Sequence, residues 1–140
     1  MIMEAHGFPA TPDGVVAMDS WIESVGKRWG VDDRTRFRAR VCVSELANNI
    51  VEHGGVRPDS GDIALELRHM NPGLEIEISD PGVAFDPVAR PPTDPDNERI
   101  GGRGLRLVRA YTRSLSYRRE KDRNIMTLQL VPVVHGAEPA

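Results

Sequence analysis

The chain has 140 residues, 18 basic and 21 acidic, a net charge of -3, and 39% hydrophobic against 28% charged residues, the balance of an ordinary globular protein. That length suits one domain burying about two-thirds of its unfolded surface, and a pI of 5.8 argues against nucleic acid as a direct partner. The single Cys42 excludes an internal disulfide. No apolar run approaches the roughly 20 residues of a membrane span, and Met1 to Gly14 lacks the basic and apolar regions of a signal peptide, so the sequence reads as a reducing, cytoplasmic protein.

A poorly patterned start precedes a first helix, capped by Thr11 or Asp13, whose apolar positions Met18, Ile22, Val25 and Trp29 recur at helical spacing and which ends at Gly30. Asp32 or Asp33 caps a second helix running through Arg34 to His53 and stopped by Gly54-Gly55. After a turn over Val56 to Gly61, two alternating segments beginning at Ile63 and Leu74 read as strands of a hairpin joined across Asn71-Pro72-Gly73. Between Asp86 and Glu98 stand Pro87, Pro91, Pro92 and Pro95, which exclude helix and central strand and predict a long loop. Leu105, Leu107, Val108 and Tyr111 then predict a third helix, and Leu115 to Arg119 and Ile125 to Val131 two closing strands around Asp122. Residues 1–133 form one domain in this reading, and 134–140 an unstructured tail. Helices, strands, a glycine-led helix and strands, without strict βαβ alternation, predict a two-layer α/β sandwich with three helices on one face of a mixed, mostly antiparallel sheet.

Ser44 to His53 reads SELANNIVEH and places Glu45, Asn49 and His53 four residues apart. Each step of four drifts by only about 40° around a helix, so a carboxylate, an amide and an imidazole share one stripe. Ala39, Val43, Leu46 and Ile50 occupy the adjoining face, which puts the stripe at the margin of the core. Downstream, Asp80-Pro-Gly82-Val-Ala-Phe85 follows a strand end, where a carboxylate can accept the exocyclic amine of adenine and a glycine lets the base approach the backbone. Gly101-Gly102-Arg103-Gly104-Leu105 opens the third helix, where backbone N–H groups and the helix dipole favour phosphate. Together the three signals describe a nucleotide site.

In order and spacing, these motifs resemble the nucleotide-binding boxes of the GHKL ATPases, with the Bergerat fold, and more narrowly the bacterial anti-sigma-factor serine kinases of the RsbW/SpoIIAB type. The likeness spans roughly Val15 to Leu130. It implies ATP held between the second helix and the proline-rich lid. By matching position it makes Asn49 the Mg²⁺ ligand, Asp80 the adenine acceptor, Gly82 the space for the base, and Gly102 and Gly104 the phosphate cradle, with Gly101 and Leu105 completing that turn. Glu45 becomes the base that takes a proton from a substrate serine, and the phosphoryl transfer itself rests on positioning and metal. Thr127 sits where the family often carries a hydroxyl near adenine. Arg103 could neutralise a phosphate, and His53 either faces the nucleotide or complements the helix dipole. Cys42 reads as a small core residue and Phe85 as packing at the base of the lid.

Arg34, Arg36, Arg38 and Arg40 alternate along the second helix and read as a solvated surface, whereas Arg99, Arg103, Arg106, Arg109 and Arg113 form a stripe leading away from the phosphate turn. The resemblance implies a serine/threonine kinase that sequesters a sigma factor, phosphorylates a STAS-domain anti-anti-sigma protein and exchanges the two, with a homodimer usual in the family. A non-catalytic, nucleotide-gated sigma antagonist would not need Glu45. The ATP-binding half of a sensor histidine kinase would need an upstream helical hairpin, and a gyrase-like motor a transducer domain.

Overall fold

A computed structural model of the chain describes residues 2–56, 61–86 and 102–133, with the backbone alone at 102–104. Strand β1 (Met3–Phe8) leads into helices α1 (Pro12–Arg28) and α2 (Asp33–His53), the hairpin β2 (Ile63–Met70) and β3 (Gly73–Asp80), helix α3 (Gly102–Tyr111), and the hairpin β4 (Ser114–Glu120) and β5 (Arg123–Leu130). The sheet order is β1-β2-β3-β5-β4. All four pairings are antiparallel, so the sheet is not mixed as the element order suggested. Each hairpin returns directly, and the long connection from β3 through α3 delivers β4 to the edge, leaving β5 to pair antiparallel with β3.

The amino-terminal strand is the element the sequence hid. Apart from Phe8, β1 is exposed or half-buried, and its six residues lack a clean alternation of apolar and polar types. It is a strand because β2 supplies its ladder, from Met3 opposite Arg68 to Phe8 opposite Ile63. Of the alternative caps, Thr11 closes α1 by accepting from Gly14 N at 3.1 Å, with Pro12 in the first turn. Asp32 closes α2, accepting Thr35 N at 3.1 Å and Thr35 Oγ1 at 2.7 Å. Trp29 ends α1, and Gly30 takes the positive φ of 71° needed to redirect the chain.

Three helices cover one face of the sheet. Met18, Ile22 and Val25 of α1 and Ala39, Val43 and Leu46 of α2 meet Leu65, Leu67, Ile76, Ile78 and Leu128, all buried. Burying each of the large aliphatic side chains contributes about 1.5–3 kcal/mol. Cys42 belongs to the same layer, and burial pushes its thiol up to about 12, Arg38 lowering and Glu45 raising it to a smaller extent. The alternating arginines of α2 are not a free solvated surface. Arg36 pairs with Glu23 at 2.6 Å, Arg40 holds Glu23 at 2.7 Å and Asp19 at 3.1 Å, and Arg38 lies 5.1 Å over the Tyr111 ring. One set clamps α2 to α1 and the other leans on α3, which fixes the rotation of α2 about its axis.

Burial pushes the Asp32 carboxyl up, but hydrogen bonds from Thr35 and the neighbouring backbone outweigh it, leaving the pKa below its ordinary value. Those bonds stabilise the fold above the unfolded carboxyl pKa of about 3.9 and are lost as the pH falls through the lower folded value. Asp32→Ala should therefore cost about 1 kcal/mol near neutral pH. Urea unfolding should show that difference shrinking towards zero in acid.

Candidate functional site

Where the carboxyl end of β3 meets the end of α2, Asp80 is only 5% exposed. Its Oδ1 accepts Gly82 N at 2.8 Å and Asn124 Nδ2 at 3.3 Å. The Asn124 amide donates again to Val83 O at 2.8 Å, while its Oδ1 accepts Tyr117 OH at 2.6 Å and Phe85 N at 3.2 Å. Both donors and both acceptor positions of this amide are used, so Asn124 has one orientation and Asp80 is held in place by it. Arg119 Nη1 donates to Gly82 O at 2.8 Å and closes the turn from outside.

Gly82 has a sharper reason to be glycine than room for a base. A Cβ there would lie 2.2 Å from Gly54 O and 2.8 Å from Asp80 Oδ1, and the next residue, Val83, donates to the same Gly54 carbonyl at 3.1 Å. The turn after β3 is therefore pressed onto the last turn of α2.

Above Asp80 opens a cavity of about 270 Å³ lined by Leu46, Asn49, Ile50, His53, Gly54, Asp80, Val83, Phe85, Asn124 and Met126. Its walls are mostly apolar, with a buried carboxylate and amides at fixed points, the chemistry that holds a flat heteroaromatic base and reads its exocyclic amine. The donor set fits an adenine nucleotide. Among the described residues no group of three or more His, Cys, Asp or Glu could hold a metal ion, so a bound Mg²⁺ would rely on Asn49 and on phosphate oxygens, which suits an ion that keeps several of its waters. A larger, shallower hollow of about 470 Å³ lies on the opposite sheet face beside Ala5, Ala64 and Ile125. Its acids Glu66 and Glu77 are already engaged by Arg68, and it offers no comparable fixed acceptor.

Asn49, His53, Asp80 and, in the adjoining turn, Gly82 thus come together as the sequence pattern predicted. His53 is exposed at the rim, with Nε2 3.5 Å from the Glu52 carboxylate. Glu45 stands one turn above Asn49, outside the cavity, half-buried in a groove against α1. Leu105 is 3% exposed and packs in α3 rather than lining the cavity. Gly102, Arg103 and Gly104 form the backbone of the first turn of α3, while Gly101 and the proline-rich segment from Pro87 lie outside the described residues, as does 134–140.

Thr127 is not at the site. In β5 the even-numbered Asn124, Met126, Leu128 and Leu130 are buried towards the helices, so Thr127 points to the other face between Glu77 and Ser116, with Arg118 Nη1 3.4 Å from its hydroxyl. The inward polar position of that strand is Asn124. A polar residue in phase with buried apolar neighbours was the available signal for it.

The family described as "Histidine kinase-like ATPase domain" matches residues 8–130. The chain belongs to that family. A curated relative, "Serine/threonine-protein kinase BtrW" of Bordetella bronchiseptica, is 36% identical over 112 residues, covering 77% of this chain and 79% of the relative. "Serine-protein kinase RsbW" of Listeria monocytogenes is 30% identical over 108 residues, 71% and 69% of the two chains. Among solved structures, the RsbU and RsbW domains of a Mycobacterium tuberculosis protein share the fold with a TM-score of 0.70 at 15% identity, over 94% of this chain and 32% of that one. SiaB in the SiaB-SiaC complex from Pseudomonas aeruginosa shares it at 0.63 and 11% identity, over 92% and 88%. In a chain of that family the cavity between α2 and β3 is the candidate nucleotide pocket. Asn124→Ala removes one of the two donors to Asp80 Oδ1 and the amide donor to the Val83 carbonyl, and should lower ATP affinity about tenfold or more and stability by about 1–3 kcal/mol. Calorimetric titration and thermal unfolding of the variant check both.

Proposed function

We propose that this chain is an ATP-dependent serine/threonine protein kinase that phosphorylates a STAS-domain anti-anti-sigma protein and, in its other partnership, sequesters a sigma factor. The observation that carries the reading is the α2 stripe, which joins a carboxylate outside the nucleotide cavity to an amide inside it. A pure nucleotide binder has use for Asn49 and Asp80, but none for a carboxylate one turn beyond them. The names of the relatives point to the same chemistry.

In this reading the adenine amine donates to Asp80, apolar walls from Leu46, Ile50 and Met126 enclose the base, and the backbone at Gly102 to Gly104 receives the phosphates at the start of α3. Asn49 would hold Mg²⁺ when the ion is bound, and the ion would supply charge neutralisation at the phosphates. The serine Oγ attacks the γ-phosphorus, the bond to the ADP oxygen breaks, and Glu45 takes the serine proton. Arg103, in the first turn of α3, is the candidate counter-charge for a phosphate, and His53 stands at the rim of the cavity. The same reading includes a homodimer of the chain. No described helix is long and apolar enough to cross a membrane, in keeping with a cytoplasmic kinase and soluble partners.

Glu45→Ala should keep ATP affinity within about twofold and lose phosphate transfer by about a hundredfold or more, the usual weight of a positioned base. Asn49→Ala should lose Mg²⁺-dependent ATP binding itself. The check is incubation of each variant with Mg-ATP and the STAS-domain proteins of the source cell, followed by intact-mass measurement of added phosphate and by calorimetry with ATP. Transfer undiminished in Glu45→Ala would remove the base role, and no transfer by the unmutated chain would leave a nucleotide-gated binding antagonist.

A further inference from the structure

The row of Glu45, Asn49 and His53 does not begin at Glu45. Four and eight residues earlier stand Val41 and Phe37, so five side chains share one slowly drifting stripe of α2. Its far end enters the nucleotide cavity. Its near end, Phe37, Val41 and Glu45, lines a hollow of about 170 Å³ between α1 and α2, with Ser44, Arg40 and Asp19 as the other walls. Phe37 is 52% exposed and Val16 is 67% exposed, an unusual outlay of large apolar groups on helices whose other faces are well packed. Val16 stands three residues before Asp19 and seven before Glu23, the two acids that hold Arg40, so it lies on the face of α1 that borders the hollow.

Resting on the kinase reading above, we propose that this hollow is where the protein substrate docks. An apolar side chain of the acceptor seats against Phe37, Val41 and Val16 while the acceptor serine reaches Glu45. The argument for this occupant is continuity with the transfer site. At 1.5 Å rise per residue, Phe37 lies about 12 Å from Glu45 along the helix, the reach of about four extended residues. Beyond Glu45 in the other direction the stripe is given over to the nucleotide, so a protein that presents a serine there lays its surrounding surface over Val41 and Phe37. The ring around the apolar centre, Asp19, Arg40 and Glu23, is paired within itself and carries little unspent charge. That is the anatomy of an apolar contact with a polar rim, and it selects the acceptor by shape and apolar fit rather than by charge.

The test is steady-state transfer to the purified STAS-domain acceptor at saturating Mg-ATP. Phe37→Ala and Val16→Ser are compared with the unmutated chain and with Lys27→Ala, an exposed site in the last turn of α1 outside the lining of the hollow. Docking predicts that KM for the acceptor rises about tenfold in Phe37→Ala and Val16→Ser, as expected for loss of an interface anchor, with kcat and ATP affinity within about twofold and Lys27→Ala unchanged. An unaltered KM in both variants overturns the docking site and leaves the kinase reading standing. So does a rise in KM matched by loss of ATP affinity, which would mark a disturbed fold. Absence of transfer by the unmutated chain overturns the kinase reading, and the docking site with it.

Discussion

The site depends on one contact, that of the turn after β3 with the last carbonyls of α2. Gly82 lies so close to Gly54 O that any side chain would collide with it, and Val83 N bonds the same oxygen at 3.1 Å. A carbonyl at a helix end needs a partner from outside the helix, and here the partner is the strand that carries Asp80. The buried carboxylate and the Asn49 side of α2 are thereby fixed relative to each other by backbone, without reliance on long side chains. Asp80 and the polar stripe of α2 keep their relative position through that junction.

The rotation of α2 is set by different means. Arg36 and Arg40 reach to Glu23 and Asp19 on α1, while Arg38 leans over Tyr111 on α3. These groups are partly exposed, and each pair adds little stability in water. Their effect is directional, because slipping α2 by one residue would turn its stripe by about 100° and aim Glu45 away from its groove. Core packing supplies the stability, and the charged pairs choose which packed arrangement is kept.

Much of this was legible in the residues. The period of α2 and the strict alternation of Ile63 to Arg68 and Leu74 to Ser79 determine their own faces, and the structure keeps them. The stripe from Glu45 to His53 and the buried Asp80 were readable for the same reason. The edge strand β1 was not, because its conformation comes from a neighbour nearly sixty residues away in sequence, Arg68 and Ile63 standing opposite its ends. Thr127 and Asn124 show how a strand misleads: displacement by one residue reverses the face, and Thr127 lies out of phase with the buried Met126 and Leu128, opposite Glu77 and Ser116. The close approach at Gly82 was invisible for a plainer reason, since a glycine says that space is short without saying what fills it.

Cys42 lies on the sheet side of α2, fully buried, its thiol pushed up to about 12 by that burial. Only the thiolate reacts readily with alkylating agents and oxidants, so in the folded protein this sulfur is doubly shielded, by access and by protonation. As the sole cysteine of the chain, it becomes a clock for the helix that bears the stripe. Its labelling rate in mild denaturant measures how often α2 opens, and a nucleotide bound as proposed, across both sides of the junction, would slow that clock.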